Sequence, residues 1–429
     1  MQILTKLYVV REMQVTVYPS AISGTVSAVP SKSHAQRAIA IAALTSGKST
    51  LRGVGTSNDI LVALHLAAEL GGFVEQEDTC VIIDGGHLWT SREWHCGESG
   101  LCLRMFAAIA ALRPLGVTLT GEGSLNTRPV GFVEESLRAM DVTVKSTDGR
   151  PPLYVRGPYP HGRLMADASV SSQFLSGLLI ALPLMTDDSR ITVPSLVSRP
   201  YIDLTLEVIR DFGVTIGHQE YSDFHVMAGK YQPTNLTIEG DWSGMANILA
   251  CAAINGNVHL HGLKYPSAQA DCVIVDILQS AGAPLTTAQG SVSAGCCATL
   301  PAFDVDATDC PDLVPVLAAL AAYADGTSLI RGVNRIRTKE SNRAEALESE
   351  FRKLKVDIAL QDDVLRITGG TVEGGIVDAH ADHRMAMSLA TAALRATGPV
   401  TITGAESVRK SYPDFFDDLR NLGTRIEMH

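Results

Sequence analysis

Apolar and polar positions along this chain follow a pattern that returns six times. Its most regular mark is a short run of alternating apolar residues closed by Gly, at 49–53, 117–121, 258–262, 328–332 and 400–404. Alternation with period two predicts half-buried strands. The run RITVPS at 190–195 fills the same slot, with Pro194 and Ser195 in place of Gly. Successive runs lie about 70 residues apart, longer than the usual solenoid period, and six copies account for nearly the whole chain.

An Ala/Leu-rich segment precedes each run, at 32–45, 100–112, 171–184, 244–255, 312–324 and 383–397, and predicts a helix. Most of these end before a Gly (Gly47, Gly116, Gly256, Gly326, Gly398), which predicts left-handed helix stops. Second helices are predicted after the run, at 59–70, 129–140, 203–212, 271–281, 342–354 and 413–422, with apolar residues at helical spacing such as Val133, Leu137 and Met140. Two short strands follow, as in 73–85 and 356–370. The unit reads β-α-β-α-β-β. One unit cannot bury its own apolar faces. Three can close into a lobe, so six predict an α/β (α+β) protein of two similar globular lobes rather than a solenoid, which would need capping repeats.

Composition narrows the class. Apolar residues at 46%, charged at 19% and aromatic at 5% exclude a disordered, coiled-coil or collagen-like chain. A formal charge of −11 makes a nucleic-acid partner a poor expectation, so any bound anion must meet cations gathered locally. The eight Cys have no disulfide-framework spacing and read as reduced thiols of a cytoplasmic protein. The N-terminal MQILTKLYVVREM carries Lys6, Arg11 and Glu12 within its apolar stretch and does not read as a signal peptide. The apolar run 174–185 is too short to span a bilayer, so no membrane partner is expected.

The repeat makes positions comparable. First helices begin at Ser31-Lys32-Ser33, Glu98-Ser99-Gly100, Ser171-Ser172-Gln173, Asp241-Trp242-Ser243, Pro311-Asp312 and Asp382-His383-Arg384. Ser and Asp are ordinary caps there. Lys32, Arg37, Arg104, His383 and Arg384 are not explained by capping, because cations are unfavourable near a positive helix end. The turns before the second helices are basic too: Asn126-Thr127-Arg128, Ser198-Arg199-Pro200-Tyr201, the stretch from Arg335 to Arg343, and Arg409-Lys410-Ser411. Equivalent corners of repeated units share one end of a lobe. Cations beside free helix N–H groups predict a site for more than one phosphate or carboxylate.

Competing motifs fail. Gly53-Val54-Gly55 and Gly121-Glu122-Gly123 lack the third Gly of a dinucleotide fingerprint, and Gly47-Lys48-Ser49 ends a helix where a P-loop would start one. His380, Asp382 and His383 fit no strong zinc spacing and sit beside Arg384, so no metal is expected. His259 and His261 alternate on a strand and read as structural.

The combination of Ser31-Lys32-Ser33 with Arg37, Gly97-x-Ser99-Gly100 with Arg104, Arg128-Pro129, Val170-Ser171-Ser172-Gln173-Phe174, Ser198-x-Pro200-Tyr201, Pro311-Asp312, Arg337-x-Lys339-Glu340-Ser341-x-Arg343 and Asp382-His383-Arg384-Met385-Ala386-Met387 resembles the 5-enolpyruvylshikimate-3-phosphate synthases, in the family's order from about residue 14 to the C-terminus. The resemblance implies two lobes of three β-α-β-α-β-β units with the site in the interlobe cleft. Residues 1–29 and 239–429 would form one lobe and 30–238 the other, the chain crossing near 29 and returning near 239. It implies transfer of the enolpyruvyl group of phosphoenolpyruvate to the 5-hydroxyl of shikimate 3-phosphate, with phosphate released and no cofactor. By resemblance, Lys32, Ser33, Arg37, Ser171, Ser172, Gln173, Ser198, Tyr201, Asp312 and Lys339 hold shikimate 3-phosphate. Lys32, Gly100, Arg128, Gln173, Arg343, Arg384 and Lys410 hold phosphoenolpyruvate. Asp312 is the base towards the 5-hydroxyl, Lys339 and Glu340 handle the methylene proton, and Lys32 and His383 complete the catalytic set. A monomer binding small molecules is expected.

Four residues depart from the family's habit: Glu98 for Asn, Leu101 for Thr, Arg335 for Asn and Asn342 for Asp. A carboxylate two residues before Gly100 would repel an anion, so Glu98 is expected to be held by a cation, with Arg335 the first candidate and Arg104 or Arg128 the others. The alternatives are a UDP-N-acetylglucosamine enolpyruvyl transferase, whose reactive Cys loop has no counterpart here, and a non-enzymatic scaffold for acidic partners, which does not call for Asp312 and Glu340 among the cations.

Overall fold

A computed structural model of the chain describes residues 12–160 and 162–429. The N-terminal stretch read against a signal peptide lies, except for Glu12 and Met13, outside the described residues. Among the described residues, the strands form six four-stranded sheets with one shared order. In the second sheet, Glu93–His95 runs parallel to Val117–Thr120, followed by antiparallel Arg150–Arg156 and Thr143–Thr147. The parallel pair is joined by the first helix of the unit, as a crossover requires. The second helix leads into the antiparallel hairpin. This is the repeat expected from the apolar pattern.

Two strands change places. Ile22–Ser27, just before the first unit's helix, pairs in parallel with Gly256–His261 of the fourth unit. Asn235–Thr237, just before the fourth unit's helix, pairs with Gly47–Arg52 of the first. The two crossing segments touch at an isolated bridge between Pro30 and Gly240. Val15–Val17 fills the sixth sheet between Val400–Thr403 and Ile426–Met428. Buried apolar side chains accordingly form two clusters, one from 15–26 with 242–426 and one from 35–238.

The first helices are the cores' interior. Lys32–Leu44 is buried from His34 to its end, and its Ala and Ile residues allow close packing on all sides. Ser31, Ser99, Ser171, Asp241 and Asp382 cap five of the six, each accepting from a backbone N–H of the first turn. The sixth starts as a 3-10 turn, Pro311–Leu313, before Val314–Ala321, because Pro311 and Pro315 have no N–H to donate. Pro183 likewise turns the end of the third into the 3-10 segment Leu182–Leu184. The second helix expected from 203 begins earlier, at Arg199, with Pro200 in its first turn.

The expected glycine stops need correcting. Gly256 is extended (φ 172°), not left-handed. Gly116 and Gly398 lie outside the left-handed range too, whereas Gly47 and Gly326, at φ 106° and 108°, lie within it and lead into strands. The physical demand at Gly256 is close approach: a Cβ there would lie 2.4 Å from the Ile22 carbonyl oxygen.

Helix Gly100–Ala110 packs on Ser172–Ala181 so closely that a Cβ on Gly177 would sit 2.5 Å from the Met105 carbonyl oxygen. Backbone cannot step aside as a side chain can. Gly177→Ala is therefore expected to destabilise by about 1–3 kcal/mol despite its better helix propensity. Chemical denaturation checks this, and an unchanged or raised midpoint would count against the close packing.

Candidate active site

Five of the six units turn helix beginnings towards one cleft between the two cores. From the 35–238 side come Lys32 and Ser33, Gly100 and Leu101, Ser171 to Gln173, the turn residues Arg128 and Ser198, and Tyr201 from the first turn of its helix. From the other side come Asp312, Arg335, Thr338, Lys339, Glu340, Arg343 and His383. Residues distant in sequence meet because equivalent corners of the repeat share an end of each lobe. A Cβ at Gly100 would lie 2.6 Å from Arg128 Nη1, so the missing side chain leaves room for that guanidinium at the helix start.

Arg343 ties three acids together. It is 1% exposed, and its three nitrogens donate to three carboxylates: Nε to Asp382 at 2.7 Å, Nη1 to Asp312 at 2.9 Å and Nη2 to Glu340 at 2.5 Å. Asp312 also lies 3.5 Å from Lys339 Nζ and 3.7 Å from Arg384 Nη2. Burial alone would raise its carboxyl, but Lys339, Arg384 and Arg343 hold it well below the usual range. Glu340 follows the same logic: burial opposes ionisation, and Arg128, Arg343 and Lys410 prevail. Arg128 reaches Glu340 across the cleft at 2.9 Å and donates through Nε to the Lys339 carbonyl at 3.0 Å. Burial pushes the Lys339 ammonium down, and its neighbour Arg343 adds to this against the pull of Asp312.

Lys32 pairs with Asp59 at 2.9 Å, and burial fails to lower its pKa because Asp59 and Glu340 outweigh it. Burial, with Lys32 and Arg384 beside it, holds His383 well below the usual histidine range, so the ring is neutral. Arg37 is buried and engaged: Nε donates to Thr205, Nη1 to the Ser33 carbonyl, and Nη2 to Ser176 and the Tyr201 carbonyl. It fixes Ser33 and Tyr201 relative to one another. Ser198 caps its helix in the left-handed region (φ 57°, ψ 49°) without a side-chain cap bond, which leaves its hydroxyl to the cleft. Arg384 Nε and Nη1 and Lys410 Nζ are buried with no hydrogen-bond acceptor among the described residues. Such donors call for an anion.

Sequence reasoning missed some residues in and around the site and left others without a role. Asp59 reads as an ordinary first-turn acid. Arg104 stood out as a cation not explained by capping, and the structure gives it work: Nη1 donates to the Gln173 amide oxygen at 2.7 Å and so orients that side chain. Asp271 is buried, and burial followed by Asp312 pushes its carboxyl up to about 7 against the pull of Arg384 and a hydrogen bond from Ser243. Only its residue type was visible in the sequence.

The expectation for Glu98 is corrected. Its carboxylate accepts from the Ser124 backbone N–H at 2.7 Å and faces Lys410 Nζ at 3.8 Å. Arg335 instead donates to the Thr308 carbonyl at 3.1 Å. Arg335 belongs to the 312–343 side of the cleft, and the cation that reaches Glu98 comes from the last unit.

A family model described as EPSP synthase (3-phosphoshikimate 1-carboxyvinyltransferase) matches residues 17–419. Relatives named 3-phosphoshikimate 1-carboxyvinyltransferase include one from Aeropyrum pernix, 38% identical over 414 residues and covering 96% of both chains, and one from Methanosarcina acetivorans, 38% identical over 428 residues, covering 97% of this chain and 99% of its own. Among solved structures, EPSP synthase from Acinetobacter baumannii is similar with a TM-score of 0.83 at 26% identity, covering 97% of this chain and 100% of that one. No helix of the described residues is long and apolar enough to cross a membrane.

Two outcomes follow from the geometry. In a double-mutant cycle on stability, Glu98→Gln and Lys410→Met should couple by more than about 0.5 kcal/mol, whereas Glu98→Gln and Arg335→Gln should add. Denaturant unfolding of the variants checks both halves. The second concerns pH. His383 has a depressed folded pKa, so as pH falls below about 6.5 the unfolded chain takes up a proton that the folded chain refuses, and stability falls. His383→Asn should flatten the loss of stability from pH 6.5 to 5 by up to about 1.4 kcal/mol per pH unit. Unfolding free energies across that range decide it, and parallel curves would contradict a buried neutral ring.

Proposed function

The chain belongs to the EPSP synthase (3-phosphoshikimate 1-carboxyvinyltransferase) family, and from that premise we propose how its cleft divides the work. The protein transfers the enolpyruvyl group of phosphoenolpyruvate to the 5-hydroxyl of shikimate 3-phosphate by addition and elimination, in the shikimate route to chorismate and the aromatic amino acids. In the first step the hydroxyl oxygen bonds to C2 of phosphoenolpyruvate, the hydroxyl proton leaves and C3 gains one. In the second, C3 gives up a proton and phosphate departs from C2.

In our reading, Lys32, Ser33, Ser171, Ser172, Gln173, Ser198 and Tyr201 receive shikimate 3-phosphate, with Arg37 fixing two of them from behind. Arg128, Arg384, Lys410 and the backbone at Gly100 receive phosphoenolpyruvate. Arg343 acts on that anion through the carboxylates it aligns. Asp312 accepts the 5-hydroxyl proton, and Lys339 with Glu340 serves the methylene carbon, while neutral His383 supplies a ring nitrogen that can accept a hydrogen bond. The observation that carries this reading is the pair of carboxylates, Asp312 and Glu340, held together by Arg343 amid cations whose donors are not all used. In the ligand-free arrangement both acids are too well paired to be good bases. An anionic substrate that draws Arg128, Arg384 and Lys410 to itself weakens that hold and raises both acids towards useful pKa values. The depressed Lys339 ammonium is correspondingly a better acid than a free lysine.

We also propose lobe limits of 1–29 with 239–429 and 30–238, supported by the two apolar clusters and the Pro30–Gly240 bridge. The proposed setting is the cytoplasm, supported by eight cysteines without a disulfide, and the proposed working form is a monomer, because residues of one chain complete the cleft.

The deciding assay is phosphate release from phosphoenolpyruvate with either shikimate 3-phosphate or UDP-N-acetylglucosamine as acceptor. Release should depend on the first. Asp312→Asn should bind both substrates yet lower kcat by roughly 100- to 10,000-fold, the range for a positioned acid or base. Parental turnover would make Asp312 a structural helix-start residue.

A further inference from the structure

Two turns beyond Arg343, on the same face of helix Arg343–Lys353, sits Glu350. It is 1% exposed and lies outside the cleft. One carboxylate oxygen accepts from the Asp378 backbone N–H at 2.8 Å and from Lys353 Nζ at 2.7 Å. The other accepts from the Ser349 hydroxyl and faces His380 Nε2, both at 3.0 Å. A carboxylate with four partners drawn from a helix, a strand end and a turn is a joint.

What it joins is strained. His380 and Ala381 both have φ of 53°, and neither is Gly. Consecutive side-chain-bearing residues rarely stay in the left-handed region unless their surroundings fix them. The next residue, Asp382, is fully buried. It caps helix His383–Ala393 by accepting from the Arg384 N–H at 3.0 Å, and it takes Arg343 Nε at 2.7 Å. The strained pair is thus gripped at both ends from a single helix, by Glu350 before it and by Arg343 after it. The strained pair also decides where His383 and Arg384 start.

We infer that Glu350 is a positioning residue for the transfer: its carboxylate holds the left-handed His380–Ala381 turn and so aims His383 and Arg384 into the cleft. The inference rests on the reading of the cleft given above.

The test uses the full chain with Glu350→Ala and Glu350→Gln, each alone and combined with Ala381→Gly. Gly takes positive φ without strain and should need no holding. Initial rates with both substrates are measured beside the parent and beside thermal midpoints. Glu350→Ala should raise KM for phosphoenolpyruvate about 10-fold, well within what misplacement by an ångström can cost. KM for shikimate 3-phosphate should change less, and Ala381→Gly should recover most of the loss. Glu350→Gln keeps an acceptor for the Asp378 N–H and should fall between, and it carries the comparison if Glu350→Ala does not fold. Unchanged KM values, a lowered midpoint with intact kinetics, or no recovery with Ala381→Gly would each overturn the inference. A parent protein that releases no phosphate would instead remove the reading of the cleft on which it rests.

Discussion

A guanidinium buried to 1% exposure must be neutralised where it stands, and around Arg343 that requirement organises the site. Its three carboxylate partners come from three separate places: Glu340 from the turn before its own helix, Asp312 from the 3-10 start of another, and Asp382 from the cap of a third. Removing Arg343 would leave three acids without their common partner in a partly dry cleft. Removing any one acid would leave part of the guanidinium unpaired. The geometry of one lobe's half of the site is therefore fixed by a single charge balance rather than by apolar packing.

The other half is joined to it by the same physics. Arg128 crosses to Glu340, Lys410 lies between Glu340 and Glu98, and Lys264 bridges Glu207 and Glu239 away from the cleft. Arg128 and Lys410 face acids of the cleft, and in the proposal above they turn to the anionic substrate when it binds. A cleft built this way keeps its acids ionised and its cations organised. Asp312 and Glu340 are held far below the usual carboxylate range by these cationic neighbours.

Much of this was legible in the sequence because the repeat made corners comparable. Lys32, Arg128, Asp312, Lys339, Glu340, Arg343 and His383 stood out at equivalent helix starts and turns, and all of them line the cleft. The exchange of Ile22–Ser27 with Asn235–Thr237 was not visible in the periodicity, since either strand alternates suitably for either sheet. Asp59 looked like any first-turn acid, and its pairing with Lys32 depends on packing between two helices. Glu98 invited a basic partner, but charge alone pointed to Arg335. The choice of Lys410 is made by how the last unit docks, which no local pattern encodes. The glycines read as helix stops answer in part to close backbone approach, as at Gly256.

The central claim is that substrate anions take over cations that otherwise hold Asp312 and Glu340 ionised. Carboxyl-carbon NMR titration of these two residues, in the free protein and with shikimate 3-phosphate plus a phosphoenolpyruvate mimic, tests it most directly. The account predicts both groups ionised well below pH 4 in the free protein and at least one of them titrating distinctly higher when both ligands are bound. Titrations that superimpose with and without the ligands would contradict it.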